Sequence, residues 1–291
     1  MTSGSITGGR TTGGRLLPLL VLPAVALNLL TFVGPMLNLA GYAFHETLPG
    51  GGVGKEFSLA TWAELASDAY NWSLLTTTVR LAAEVTAITL LCAYPIALFV
   101  HRASPRWRNL LVVACISPLL VSAVVRTYGW IIILGDGGVI PSLLRAIGLS
   151  PPRLVFNATG VIVGLVEILM PYMILSLLSG FGRLDPTLEE AASSLGAPPL
   201  TVFRHVLLPL TLPGILLGCL LTFVLSVSSF VTPQLLGGGR VNLLATEIYN
   251  QAIVTLDWPV AAALSLVVLA LFGTALFAYG RVTHAVNRSL G

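Results

Sequence analysis

The sequence predicts an all-α integral membrane protein with six transmembrane helices and one structured cytoplasmic loop between the fourth and the fifth. Three observations carry that prediction. Hydrophobic residues make up 55% of the chain, charged residues only 9%, and mean hydropathy is +0.91, whereas a soluble domain carries about 25% charged residues. Apolar runs of about 20 residues, the length that crosses a hydrocarbon core about 30 Å thick, recur between charged or Pro/Gly-rich breaks. The stretch EEAASSLGAPPLTVFRHVLLPLTLPG, Glu189 to Gly214, departs from this pattern as two short, polar-faced, punctuated segments.

Six apolar runs follow in order: Leu16 to Phe44, Leu74 to Val100, Leu110 to Leu134, Val161 to Phe181, Leu207 to Val231 and Val260 to Tyr279. Residues 1–14, rich in Gly, Thr and Ser, have little with which to build a core and are expected to be a disordered cytoplasmic N-terminus, leaving 15–291 as the transmembrane domain. Arg10 and Arg15 precede the first run, and Ala24-Val25-Ala26 looks like a signal cleavage site. The run is too long for a signal core, however, so a retained helix is expected.

Cytoplasmic loops are enriched in Lys and Arg, and that bias orients the spans. One set of connections holds Arg10 and Arg15, then Arg102, Arg106 and Arg108, then Arg183 and Arg204, then Arg281 and Arg288. The alternate set is poorer in basic residues: Lys55 among Glu46, Glu56, Glu64 and Asp68, then Arg145 and Arg153, then Arg240 with Glu247 and Asp257. Both termini are therefore expected in the cytoplasm.

This topology puts the Glu189 to Gly214 stretch on the cytoplasmic side. Asp185-Pro186 is a helix start, a side-chain acceptor followed by a preset first residue. Leu188, Ala191, Ala192 and Leu195 form one apolar stripe at i, i+3, i+4 and i+7. Gly196 can take the left-handed conformation that ends a helix, and Pro198-Pro199 blocks its continuation. A second amphipathic segment follows, with Val202, Phe203 and Val206 on one side and Thr201, Arg204 and His205 on others, before Pro209 leads into the fifth run. Two readings stand at this point: a connector resting on lipid headgroups, or a docking surface for a soluble protein. Headgroup binding favours Lys and Arg on the polar face. Glu189 and Glu190 lead it instead, which favours a protein partner.

Glu190-Ala191-Ala192, three residues, Gly196, then Val206-Leu207-Leu208-Pro209 resembles the E-A-A-x3-G-x9-I-x-L-P signature of permease subunits of type I bacterial ABC importers, with Val206 where isoleucine is usual. Ser117-Pro118 through Val125-Arg126-Thr127-Tyr128-Gly129-Trp130, and Leu235-Leu236-Gly237-Gly238 through Asp257-Trp258-Pro259, are similar to the spermidine/putrescine-type branch. The resemblance implies the type I permease fold, with the loop at about 183–206 as a coupling-helix pair. It implies docking on an ATPase through Glu189, Glu190, Ala191, Ala192, Gly196, Phe203, Arg204 and Pro209. It further implies two ATPase subunits, an extracytoplasmic solute-binding protein and a second, homologous permease, as a heterodimer in preference to a homodimer. The chain has no G-x4-G-K-[ST] phosphate loop and no evident internal duplication, so ATP and Mg would be bound by the partners and no cofactor by this chain. The cargo implied is a polyamine, with opines, amino acid derivatives, aminophosphonates and ferric iron carried elsewhere in the branch.

A charge near the bilayer centre costs about 2.5–3.5 kcal/mol on insertion scales, so polar residues inside the runs mark a candidate translocation path. These are Arg80, Glu84, Arg126, Tyr128 and Glu167. Arg80 and Glu84 are four apart and can pair on one helix face; Arg126 can reach the interface or a carboxylate on a neighbouring helix; Glu167, one turn before Pro171, can line the path or pair with another helix. Gly214 and Gly218 read as a site of close helix approach. Leu243 to Ile253 reads as a short amphipathic helix over the path, with Glu247, Asn250, Gln251 and Asp257 as candidate contacts for the binding protein. Cys92, Cys115 and Cys219 lie inside apolar runs without metal or redox spacing. His45, His101, His205 and His284 fall at run ends without H-x3-H or H-E-x2-H spacing, which argues against a membrane-embedded enzyme. A net charge of +3 without a strongly basic, aromatic-laced patch argues against nucleic acid.

Overall fold

The computed structural model describes residues 22–23, 25–48, 50–182, 184 and 186–290, and for residues 186, 189, 190, 193, 287, 289 and 290 the backbone alone. The expected disordered segment 1–14, Arg10, Arg15, Ala24, Arg183 and the helix start at Asp185 lie outside the described residues. Among the described residues, six stretches are helical, long and apolar enough to cross a membrane: Val25–Tyr42, Ala69–Arg102, Ala123–Ala146, Ala158–Phe181, Pro199–Val227 and Trp258–Val286.

In chain order the helices are α1 (Val25–Tyr42), α2 (Ala60–Ser67), α3 (Ala69–Arg102), α4 (Pro105–Ile116), α5 (Ala123–Leu134), α6 (Val139–Ala146), α7 (Ala158–Phe181), α8 (Pro186–Ser194), α9 (Pro199–Val227), α10 (Val231–Leu236), α11 (Leu244–Tyr249) and α12 (Trp258–Leu290). An antiparallel hairpin, β1 (His45–Thr47) and β2 (Val53–Phe57), follows α1. The sequence reading had no strand there, because so short a hairpin carries too few residues for a period-2 pattern.

The centre of the molecule is α7 packed between α3 and α9. Two apolar clusters hold it: Leu81, Val85, Leu134, Val161, Leu165 and Leu169 in one, and Ala93, Ala97, Met173, Leu177, Phe181 and Ile215 in the other. Close approach is set by glycine. A Cβ on Gly214 would stand 2.8 Å from the Gly180 Cα and 2.8 Å from the Ser176 carbonyl oxygen. Lipid tails are as apolar as leucine, so helices in a bilayer associate through such backbone contact more than through apolar burial.

The third span differs from expectation. Leu110 to Leu134 is not one helix: α4 ends at Ile116, Ser117–Leu120 forms a 3-10 turn, and Val121 is extended before α5 begins. Pro118 supplies the reason, since it has no N–H to continue the helical ladder. The stretch that qualifies as a crossing here is Ala123–Ala146, shifted toward the C-terminus of the expected run and made of α5 and α6 with a turn at Gly135–Gly138 between them.

Candidate functional site

The loop between α7 and α9 is a helix, a tight turn and a second helix. Gly196 takes φ +77°, the left-handed conformation its position requires, and nothing crowds its Cβ position. The second helix does not stop at Pro209. It runs from Pro199 through a π turn at Phe203–Leu207 into the fifth span, so α9 is one continuous helix from the loop to the interior of the span. Pro209 follows the π turn directly, where the widened backbone accommodates a residue without an N–H.

The apolar residues of this loop separate into two sets. Val202 and Leu207 are buried, and the half-buried Phe203 ring sits edge-on to Tyr94 at 5.6 Å, which in turn meets Phe181 at 5.5 Å. Phe203 therefore anchors α9 to α3 and α7 while its ring stays half-exposed on the loop. Leu188, Leu195 and Leu200 point away from the protein, with Leu195 89% and Leu200 76% exposed. Ala191, Arg204 and His205 are exposed beside them, and Ala192 is half-buried. Glu189 and Glu190 are placed on α8 by their backbone. An exposed patch of leucine next to helix-borne charge, on a loop rooted in the core by aromatic contacts, is the form of a protein-docking surface.

Within the spans, the charged candidates are gathered as two ion pairs. Arg80 Nε donates to Glu84 Oε1 at 2.8 Å, an i,i+4 pair on the exposed side of α3. Ser73, Thr77, Arg80 and Glu84 lie at i, i+4, i+7 and i+11, a polar stripe along the outer half of that helix. Arg126 Nη1 on α5 donates to Glu167 Oε1 on α7 at 3.2 Å. Of the two alternatives for Arg126, the structure shows the partner on a neighbouring helix. Trp130, which the sequence reading did not select, donates its indole N–H to the other Glu167 oxygen at 3.3 Å; its spacing of four from Arg126 was the signal available. Tyr128 is exposed on α5.

At the end of the spans away from the loop between α7 and α9, two of the four expected contact residues have partners within the chain. Glu247 is only 9% exposed; its carboxylate accepts from the Tyr70 hydroxyl at 3.0 Å and from Gln251 Nε2 at 2.7 Å. Asp257 caps α12, accepting from the Val260 N–H at 3.1 Å, and accepts from the Thr47 hydroxyl of β1 at 2.9 Å. These carboxylates tie α3, α11, α12 and the hairpin together, so each already has partners within the chain. Asn250 and Gln251 are half-buried, and the outward surface is carried by Tyr249, Ile253, Val254 and Leu256. A cavity of about 520 Å³ opens nearby, among Tyr70, Ser73, Thr77, Asn157, Arg240 and Asn242.

Comparison with known proteins agrees with this architecture. The chain is 36% identical over 207 residues to the spermidine/putrescine transport system permease protein PotB of Haemophilus influenzae, covering 70% of this chain and 72% of the relative. It is 32% identical over 258 residues to PotB of Escherichia coli strain K12, covering 88% and 94%. Among solved structures, a chain of the bacterial alginate ABC transporter in complex with an alginate pentasaccharide-bound periplasmic protein superposes with a TM-score of 0.71 over 94% of both chains at 17% identity. A chain of the MetNI methionine ABC transporter, in an inward-facing conformation, gives 0.53 over 75% of this chain and 99% of the other at 19% identity, so both show the fold. The model of the binding-protein-dependent transport system inner membrane component matches residues 93–288, and with those relatives it shows that this multi-pass chain belongs to that family of permeases, a transport subunit and not an enzyme.

Proposed function

We propose that the chain forms half of the translocation path of an ATP-driven importer and that its cargo is a small polyamine. The exposed leucine patch at Leu188, Leu195 and Leu200 carries the docking part of this reading. In this reading the patch and the helix-borne Glu189 and Glu190 seat in a groove of a cytoplasmic ATPase subunit. Two ATPases, a second homologous permease and an extracytoplasmic binding protein complete the complex, with the permeases as a heterodimer and both termini of this chain in the cytoplasm.

Closure of the ATPase pair would move the docked loop, and α9 would transmit the movement because turn and span are one helix. Coupling requires that nucleotide and solute favour different packings of the spans; a loop held equally in both would couple nothing. The polyamine cargo is supported by the names of the relatives at 32% and 36% identity and by the carboxylates Glu84 and Glu167 within the spans. One observation favours a second reading. Each of those carboxylates is already paired with an arginine, and a charge-balanced path also suits a zwitterion such as an opine or another amino acid derivative.

The test is solute-stimulated ATP hydrolysis by the complex copurified with this chain in lipid nanodiscs, with its binding protein, screened across polyamines, amino acids, opines, aminophosphonates and ferric iron. Stimulation by putrescine or spermidine is expected. Stimulation by another class alone overturns the cargo, and an extract in which no ATPase accompanies the chain overturns the docking surface.

A further inference from the structure

Glu167 is held from one face of α5. Arg126 and Trp130 stand one turn apart on that helix, and each donates to a different oxygen of the carboxylate. Both contacts are long, at 3.2 and 3.3 Å, whereas a charge-assisted N–H···O bond closes to about 2.7–2.9 Å. The guanidinium engages the carboxylate through Nη1 alone, and its buried Nε–H has no hydrogen-bond partner among the described residues. Exposure is unequal in an informative direction: 12% for the Arg126 side chain and 30% for Glu167. The anion is more open than the cation that neutralises it. A permanent structural pair uses the planar fork of arginine for two parallel bonds and encloses the carboxylate. Here the carboxylate is reachable from outside the chain, with an indole beside it and a tethered cation holding on by one long bond.

We infer that Arg126 is an exchangeable counter-ion, which keeps Glu167 neutralised while the path is empty and gives way to an ammonium group of the passing solute. This rests on the cationic cargo proposed above. A primary ammonium suits the vacated position because it is compact, carries three donors and is attracted both to a carboxylate and to the face of an indole. The exchange answers a physical constraint. An unpaired carboxylate at this depth is costly, so either Arg126 or the solute must accompany Glu167, and exchange conserves the local charge balance throughout. It also links occupancy to conformation, since Arg126 sits on α5 immediately after the break at Val121 and Ser122, in the half of the third span that is jointed to the rest. Solute would thereby bind one arrangement of α5 better than the other, which is the requirement for shifting an equilibrium.

The experiment is 19F NMR of the assembled complex in nanodiscs carrying 5-fluorotryptophan, with the Trp130 resonance assigned by its loss in Trp130→Phe and putrescine added directly as the probe. A saturable shift of that resonance is expected in the wild type, at least fivefold lower half-saturation in Arg126→Gln, and no shift in Glu167→Gln or with 1,4-butanediol. A shift that survives Glu167→Gln, that butanediol reproduces, or whose midpoint is unchanged in Arg126→Gln overturns the exchange. If Arg126→Gln does not assemble, Arg126→Lys and the charge-balanced double variant Arg126→Gln/Glu167→Gln decide. The first should lower the midpoint about twofold and the second abolish the response, and an unchanged midpoint or a persisting response overturns the inference. Uptake of labelled putrescine by the wild type separates this from the cargo proposal: uptake without a Trp130 response removes the exchange alone, and a response without uptake removes the cargo alone.

Discussion

Asp257 shows how one side chain serves two elements, capping α12 and receiving the hydroxyl of Thr47 from the extracytoplasmic hairpin. Loss of such a cap costs about 1 kcal/mol, so Asp257→Ala should lower the thermal midpoint in detergent by a few degrees, read by intrinsic fluorescence, without changing ATPase copurification. Gly214 is a stricter position. A methyl group there would meet the Gly180 and Ser176 backbones at 2.8 Å, and overpacking of that kind costs about 1–3 kcal/mol. Gly214→Ala should therefore destabilise the protein measurably, whereas Gly273→Ala, with nothing within 4 Å, should not; equal midpoints would mean that α7 and α9 do not approach as described. The close approach at Gly214 was legible in its G-x-x-x-G spacing with Gly218, but its partner Gly180 was not, because the glycine pair of the facing helix is Gly160 and Gly164, near its other end, and Gly180 stands four residues after Ser176.

At the scale of elements, the two helices of the loop between α7 and α9 have different attachments. The start of α9 is rooted by Val202, Phe203 and Leu207, while α8 projects with Leu188 and Leu195 outward and Gly196 as the corner. Any L-residue with a Cβ is strained at φ +77°, a cost of about 1 kcal/mol or more. Gly196→Val should leave the protein inserted and reduce ATPase copurification several-fold; undiminished copurification would show that the corner does not orient the docking patch. Glu190→Lys reverses a charge on α8 and should abolish solute-stimulated ATP hydrolysis with normal membrane insertion, measured on the same nanodisc preparation. Sequence periodicity was enough to place both helices and the glycine corner. It could not separate the anchoring Phe203 from the docking leucines, because both are apolar residues on short helices and only the position of Tyr94 on α3 tells them apart.

For the whole molecule, the basic residues at Arg102, Arg106, Arg108 and Arg204 on one side set the expected orientation. In a variant with its three cysteines replaced, Leu195→Cys should react with a membrane-impermeant thiol reagent only from the cytoplasmic side, and Val254→Cys only from the outside. Both positions are exposed, so labelling of either from the opposite side would reverse the topology and with it the ATPase-facing role of the loop. At the end of the spans away from this loop, the cap is held by the buried Glu247 and the half-buried Asp257. Glu247→Ala would leave Tyr70 and Gln251 without their shared acceptor.

By itself the sequence determined the class, the six crossings, the helix pair between the fourth and fifth of them and the family, because composition, run length, glycine and proline punctuation and motif spacing are all local properties of the chain. Tertiary structure decided the rest. It broke the third span at Pro118, joined the second loop helix to the fifth span, buried Glu247 beneath Tyr70 and Gln251, tied Asp257 to Thr47 of the hairpin, and brought Arg126 and Trp130 to Glu167 across 41 and 37 residues of chain. The physical reason is that a pairing between helices depends on their relative rotation and depth, and no period within one helix records the face that its neighbour presents.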